Sequence, residues 1–165
     1  MEEVKPIGFD PTGYEIITEA VKSLLNDFPG LGSQKIYFEE QGEEAGLSFF
    51  ADAGALVLSE RRSITDHVTQ KCQYPFLVIY RSTTTREFQK LNALGFLESM
   101  GKWLCKEPVE INGETVRLTE YPKLSGGRKI TRVTRSNTYG TVPDDNNTQD
   151  WVLPVTIQYN YEFDL

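Results

Sequence analysis

The chain has 165 residues, of which 39% are hydrophobic, 25% charged and 12% aromatic, a balance that fits one domain with a substantial core. A net charge of −7 argues against a protein whose main task is gripping nucleic acid, because that grip comes from neutralised phosphates. No apolar run approaches the ~20 residues that span a bilayer, and the acidic opening MEEVKPIGFDPTGY lacks the apolar stretch of a secretory signal.

Charge is spread unevenly along the chain. Residues 1–60 carry 12 acids and 3 bases, whereas residues 61–165 carry 12 acids and 14 bases. Such halves suit head-to-tail contact between copies, although asymmetry within one domain is common. Cys72 and Cys105 are expected as free thiols in a chain with no export signal.

Residues 1–12 are expected to form a flexible N-terminus. GYEIITEAVKSLLNDFPG then spaces Ile17, Ala20, Val21, Leu24, Leu25 and Phe28 at helical intervals, which predicts an amphipathic helix. Asp10-Pro11 supplies its N-cap and first-turn proline, and Pro29-Gly30 its stop. QKIYFEE, LSFFAD and ALVLSERR read as short strands, the first two separated by an acidic turn. HVTQKCQYPFLVIYRS places Val68, Cys72, Tyr74, Phe76, Val78 and Tyr80 on one face. Leu77 and Ile79 opposite them predict a C-terminal half buried on both sides. Pro75 predicts a bulge or an edge position within that run.

TTREFQKLNALGFLESMGKWLCK predicts a second helix, with a capping box from Thr84 to Glu87. Its wide apolar face holds Phe88, Leu91, Leu94, Leu97, Met100, Trp103 and Leu104. VEINGETVRL turns at Asn112-Gly113, a hairpin signal. KITRVTRSNTY is the next strand, and residues 136–150 are a polar loop between the last two strands. In the closing WVLPVTIQYNYEFDL every odd position from Trp151 to Phe163 is apolar or aromatic. That dry face has to be covered, either by the rest of this chain or by another copy. The predicted fold is α+β: a twisted, mainly antiparallel β-sheet with two main helices packed on one face, in a single domain over 1–165.

Catalytic constellations are scarce. The one histidine, His67, lies five residues from Cys72 on the same strand. Their parities differ, so their side chains point to opposite faces, whereas a Cys–His pair needs hydrogen-bond reach. One His and two distant Cys do not make a zinc spacing, so no metal and no cofactor is expected. Asp144, Asn146, Thr148 and Asp150 resemble the start of a calcium loop, but Gln149 replaces the tight glycine and Val155 the closing glutamate. Neither GLGSQK nor SGGRK forms a phosphate-binding loop. What remains is a basic run, Arg128, Lys129, Arg132 and Arg135, alternating with Ile130, Val133 and threonines. The plain reading is a solvated strand face; the sharper one is contact with an acidic neighbour or with passing DNA.

As a whole, LLNDFPGL, SERRSITDHVTQKCQYPFLVIYR, FLESMGKWLCKEPV, LTEYPKLSGGRKITRVTRSNTYG and QDWVLPVTIQYNYEFDL resemble a family of short proteins from tailed-phage and prophage clusters of Gram-positive bacteria. Its members are called minor capsid or tail terminator proteins, and some carry a chloramphenicol-resistance label. The resemblance runs from about Leu24 to Leu165. It implies an α+β subunit of a hexameric ring that caps the tail tube, stops its growth and joins it to the head connector. The implied partners are sister copies, the tail-tube protein and the head–tail connector protein, with DNA only passing through the lumen and no membrane. The implied setting is the virion, and the host cytoplasm during assembly.

The resemblance brings no catalytic residues. Chloramphenicol acetyl transfer uses a His-x-x-x-Asp-Gly setting, and here Lys71 and Cys72 stand at the Asp and Gly places after His67. The expectation is therefore a structural protein and not an enzyme. Arg128, Lys129, Arg132, Arg135, Asp144 and Asp145 are candidate subunit or tube contacts. The alternative is a small enzyme, acetyltransferase-like or a cysteine hydrolase, using His67 with Cys72 or a carboxylate.

Overall fold

Alternating patterns at 67–82 and 149–164 predict two long strands, and a computed structural model of the chain contains both. The structure describes residues 5–32, 34–39, 46–82, 87–143 and 148–165, and the side chains of all of these but 87–91. In chain order the elements are β1 (Gly8–Phe9), α1 (Pro11–Asn26), a 3-10 turn (Pro29–Leu31), β2 (Ile36–Phe38), β3 (Gly46–Ala51) and β4 (Leu56–Arg62). They continue with β5 (His67–Ser82), α2 (Glu87–Leu104), β6 (Val109–Ile111), β7 (Glu114–Val116), β8 (Arg128–Arg135), β9 (Tyr139–Gly140) and β10 (Gln149–Asp164).

β5 and β10 pair antiparallel along their whole length, from Ser82 opposite Gln149 to His67 opposite Asp164. The main sheet runs β1-β4-β5-β10-β8, with β3 beside the C-terminal half of β5, β2 beside β3, and β9 beside the start of β10. Among the described residues only the β2–β3 pairing is parallel. β6 and β7 form a separate hairpin. This is the expected α+β architecture.

Pleating gives the sheet its two faces. Cys72, Tyr74, Phe76 and Val78 of β5 stand opposite Tyr159, Ile157, Val155 and Leu153 of β10, and all eight are buried. Above them lie Ile17, Val21, Leu24 and Leu25 of α1 and Leu97, Met100, Trp103 and Leu104 of α2, joined in the same core. Phe28, two residues past α1, packs on α2, its ring 5.3 Å from Trp103 and 5.7 Å from Phe96. The chain's own helices therefore cover the dry face of β10 from Leu153 to Tyr159, while Trp151, Tyr161 and Phe163 are half-buried. Each of Leu153, Val155 and Ile157, at most 1% exposed, contributes about 1.5–3 kcal/mol by burial.

Several local expectations change. The N-terminus is structured from Gly8 onward: β1 pairs with Leu56 and Val57, and Asp10 is buried as the α1 N-cap, accepting from Gly13 N–H at 3.0 Å. The 136–150 loop contains β9, whose Tyr139 and Gly140 pair with Val152 and Trp151. Pro75 causes no register shift against β10, and β5 is a central strand. It sits where the neighbour of β5 changes from β3 to β4, and its carbonyl accepts from Asp52 N–H at 2.9 Å. A residue's N–H and C=O share one side of a strand, so the missing donor faces that junction and no ladder bond is lost. Leu77 and Ile79 are half-buried, so the second face of β5 is only partly covered. Thr84 and the side chains of Glu87, Phe88 and Leu91, which complete the expected capping box and helix stripe, lie outside the described residues. The Asn112-Gly113 turn is as read: φ values of 52° and 83° are the paired left-handed conformations of a tight hairpin.

Candidate functional site

The basic run of β8 is divided by one extra residue. Val133 stands opposite Ile157 and Arg132 opposite Gln158, but Ile130 stands opposite Tyr159, so Thr131 is a bulge. The bulge resets the side-chain parity. Arg128, Ile130, Val133 and Arg135 turn towards the helices, and Lys129, Thr131 and Arg132 are exposed.

Arg128 is 7% exposed and bidentate on Asp10, with Nη2 2.7 Å from Oδ1 and Nε 2.9 Å from Oδ2. The hydroxyl of Tyr159 donates to Asp10 Oδ2 at 2.9 Å, and the Tyr161 ring lies 3.9 Å from the guanidinium. Burial alone pushes the Asp10 carboxyl up. Hydrogen bonds from Arg128, Gly13 N–H and Tyr159, with the Arg128 charge, outweigh it and hold the carboxyl below its ordinary value. The hydrogen bonds to Asp10 in turn push the Arg128 pKa up. At the other end of β8, Arg135 Nη1 donates to Glu98 Oε2 of α2 at 3.1 Å, and Thr138 donates to Glu98 Oε1 at 2.8 Å. A Cβ on Gly101 would meet the Arg135 side chain, so this glycine makes room for it. Arg128 and Arg135 thus pin the two helices to the sheet, and of the basic candidates Lys129 and Arg132 are exposed and in no ion pair among the described residues. Asp144 and Asp145 lie outside the described residues.

β8 is also an edge strand, paired with β10 alone among the described residues. Ser136 N–H donates to Pro154 O and Glu162 N–H to Gly127 O, which fixes which residues face β10. By the alternation of an antiparallel ladder, the backbone groups of Arg128, Ile130, Val133 and Arg135 point outward. Two clefts follow this edge. One of about 530 Å³ is lined by the bases Lys106, Lys123, Arg128 and Lys129, by acidic Glu120, and by Tyr121, Leu124 and Ile130. The other, of about 490 Å³, lies between Cys105, Lys106, Glu107, Tyr121 and residues Thr131–Arg135. Lys106 Nζ sits 4.3 Å over the Tyr121 ring, and Tyr121 OH donates to Leu104 O at 2.8 Å, anchoring the 117–125 strap beside the edge.

The pair weighed for catalysis is not assembled. Cys72 is 2% exposed in the core, beside Tyr159, and burial pushes its thiol up to about 11. A protonated, enclosed thiol is a poor nucleophile. His67 lies on the opposite face and is exposed. Its Nδ1 is 2.7 Å from Asp164 Oδ1 and its Nε2 is 3.6 Å from Glu162 Oε1. The hydrogen bond to Asp164 raises its pKa, supported by Glu162. With a carboxylate at each nitrogen, the imidazole clips the end of β10 to β5. Among the described residues no group of three or more His, Cys, Asp or Glu side chains is placed to hold a metal ion, and no helix is long and apolar enough to cross a membrane.

Sequence reasoning missed the role of Asp10 beyond the cap. Its partner lies 118 positions away, and no local pattern joins them. The signal available in retrospect was the Ser125–Lys129 turn: Gly127, at φ +76° and with Glu162 backbone where a Cβ would stand, sets Arg128 at the sheet end. No family model matches the chain, and no curated protein matches it.

Proposed function

We propose that this chain is a structural subunit of a phage or prophage tail, a tail terminator or tail-completion protein that caps the tail tube and meets the head connector. It acts through its surfaces and its borders with sister copies, in a closed ring of six, and carries out no reaction. One observation carries the reading. The stretches that bear the family resemblance build the centre of the sheet, the α2 wall and the free basic edge, which are the parts an assembling subunit must shape. A ring needs two different complementary surfaces on each copy, related by a rotation that closes. The uneven charge of the two chain halves supports that arrangement.

The test is native mass spectrometry and electron microscopy of the purified protein, alone and mixed with the tail-tube protein encoded with it. A six-fold ring seated on one end of the tubes is expected. A monomer at every concentration that leaves both tube ends free would overturn the proposal. The enzyme alternative rests on an exposed imidazole–carboxylate pair, and a fast-reacting Cys72 would be the result that favours it.

A further inference from the structure

We infer that the outer edge of β8 is the docking strand for the β6–β7 hairpin of a second copy, so that neighbouring subunits join by extending one sheet. The inference rests on the ring reading and names the border that reading leaves open. An eight-residue edge with outward backbone groups at Ile130, Val133 and Arg135 is a template for a further strand. The edges at β1 and β2 are poor templates. β1 has two residues between Pro6 and Pro11. β2 is occupied at Ile36, whose N–H donates to Asn26 Oδ1 at 3.0 Å and whose carbonyl accepts from Asn26 Nδ2 at 3.1 Å.

Charge selects the occupant. Lys123, Lys129 and Arg132 flank the β8 edge, where the bases outnumber Glu107 and Glu120 of its clefts; these three are exposed and take part in no ion pair among the described residues. Two β8 edges would set these cations against each other, which disfavours a symmetric pairing. The hairpin carries the matching charge: Glu110 and Glu114 are exposed, likewise unpaired among the described residues, with no base between them. It is a two-stranded sheet of three residues a side, held to the body through buried Val109. Such a ribbon is marginal alone and gains stability from a third strand. Outer strand β7, continued by Arg117, supplies the unpaired backbone, and the clefts along β8 hold its flanks.

Three variants test this. Lys129→Glu with Arg132→Glu, and Glu110→Lys with Glu114→Lys, reverse one side each, and the fourfold variant swaps both. All four positions are exposed, and a circular-dichroism melt checks that each variant folds. In sedimentation at low salt, either one-sided reversal is expected to weaken association at least ~100-fold, and the swap to restore it. Carbodiimide coupling of mixed light and heavy-isotope protein should link Lys129 of one copy to Glu110 or Glu114 of another. If wild type assembles and the reversals change nothing, or the links fall on other carboxylates, this border is wrong and the ring reading stands. If wild type stays monomeric even with tail-tube protein present, both fall.

Discussion

Two base–carboxylate clusters lie within a few residues of each other at one end of the sheet, on opposite faces. On the inner face, Arg128 and Asp10 have side chains only 4% and 9% exposed, and they share their hydrogen bonds with Tyr159 and Gly13 N–H. On the outer face, His67 and Asp164 are 43% and 81% exposed and are joined by one contact of 2.7 Å. The bond lengths are equal, so the difference lies in the surroundings. Water screens the outer pair and accepts its charges if it breaks, whereas the inner pair has no such refuge. Burial, and not contact distance, decides which cluster the fold depends on.

The strongest way to break this contrast is Arg128→Ala, which strands a buried carboxylate. Loss of one partner from a buried pair costs about 3–5 kcal/mol, a large part of a domain's stability. Chemical unfolding should show the midpoint lowered by a corresponding share of the wild-type value, and an unchanged midpoint would contradict the contrast. Asp10→Asn is a milder version that keeps the cap, and wild-type stability should fall in acid in the same sense. The Asp10 carboxyl is held below its ordinary value of 3.8 when folded. Its contribution is present above that value and is lost as pH falls through the lowered one. A variant difference that stays constant down to pH 2 would contradict this.

Glu98 and Arg135 sharpen the scale from the middle, being 36% and 20% exposed. Glu98→Ala should cost about 1 kcal/mol, read from the same unfolding curves, and a cost as large as that of Arg128→Ala would remove burial as the explanation. The smallest effect is expected at His67→Ala, and its pH dependence runs opposite to that of Asp10. Folding raises the His67 pKa, chiefly through Asp164. The stabilisation is therefore complete below the unfolded value of 6.5 and disappears as pH rises through the folded one. Wild type and variant should differ slightly at pH 5.5 and coincide at pH 9. A larger gap at pH 9 would reverse the assignment.

Much of the inner face was legible in the sequence because its signals are local. A two-residue period identifies β10 and a helical period identifies α1, and each needs only its own residues. The hairpin was legible for the same reason, since Asn112-Gly113 permits few other turns. The basic run was not, because the single unpaired residue Thr131 reverses parity midway and nothing within KITRVTR marks it. Read as one face, that run held four candidate contacts. The bulge sends two of its arginines inward to fasten helices and leaves Lys129 and Arg132 exposed. Pro75 was misleading in a similar way, since what excuses it is the junction of two other strands.

Amide hydrogen exchange along β8, measured on the free subunit and on the assembled protein, bears most directly on whether this molecule works by joining copies of itself. The amides of Ile130, Val133 and Arg135 face outward and should exchange rapidly in the free subunit, then slow by at least ~10-fold on assembly, while those of Arg132 and Thr134, bonded to β10, are slow in both. Outward amides that exchange equally fast in the assembled and free states would contradict a border built on this strand.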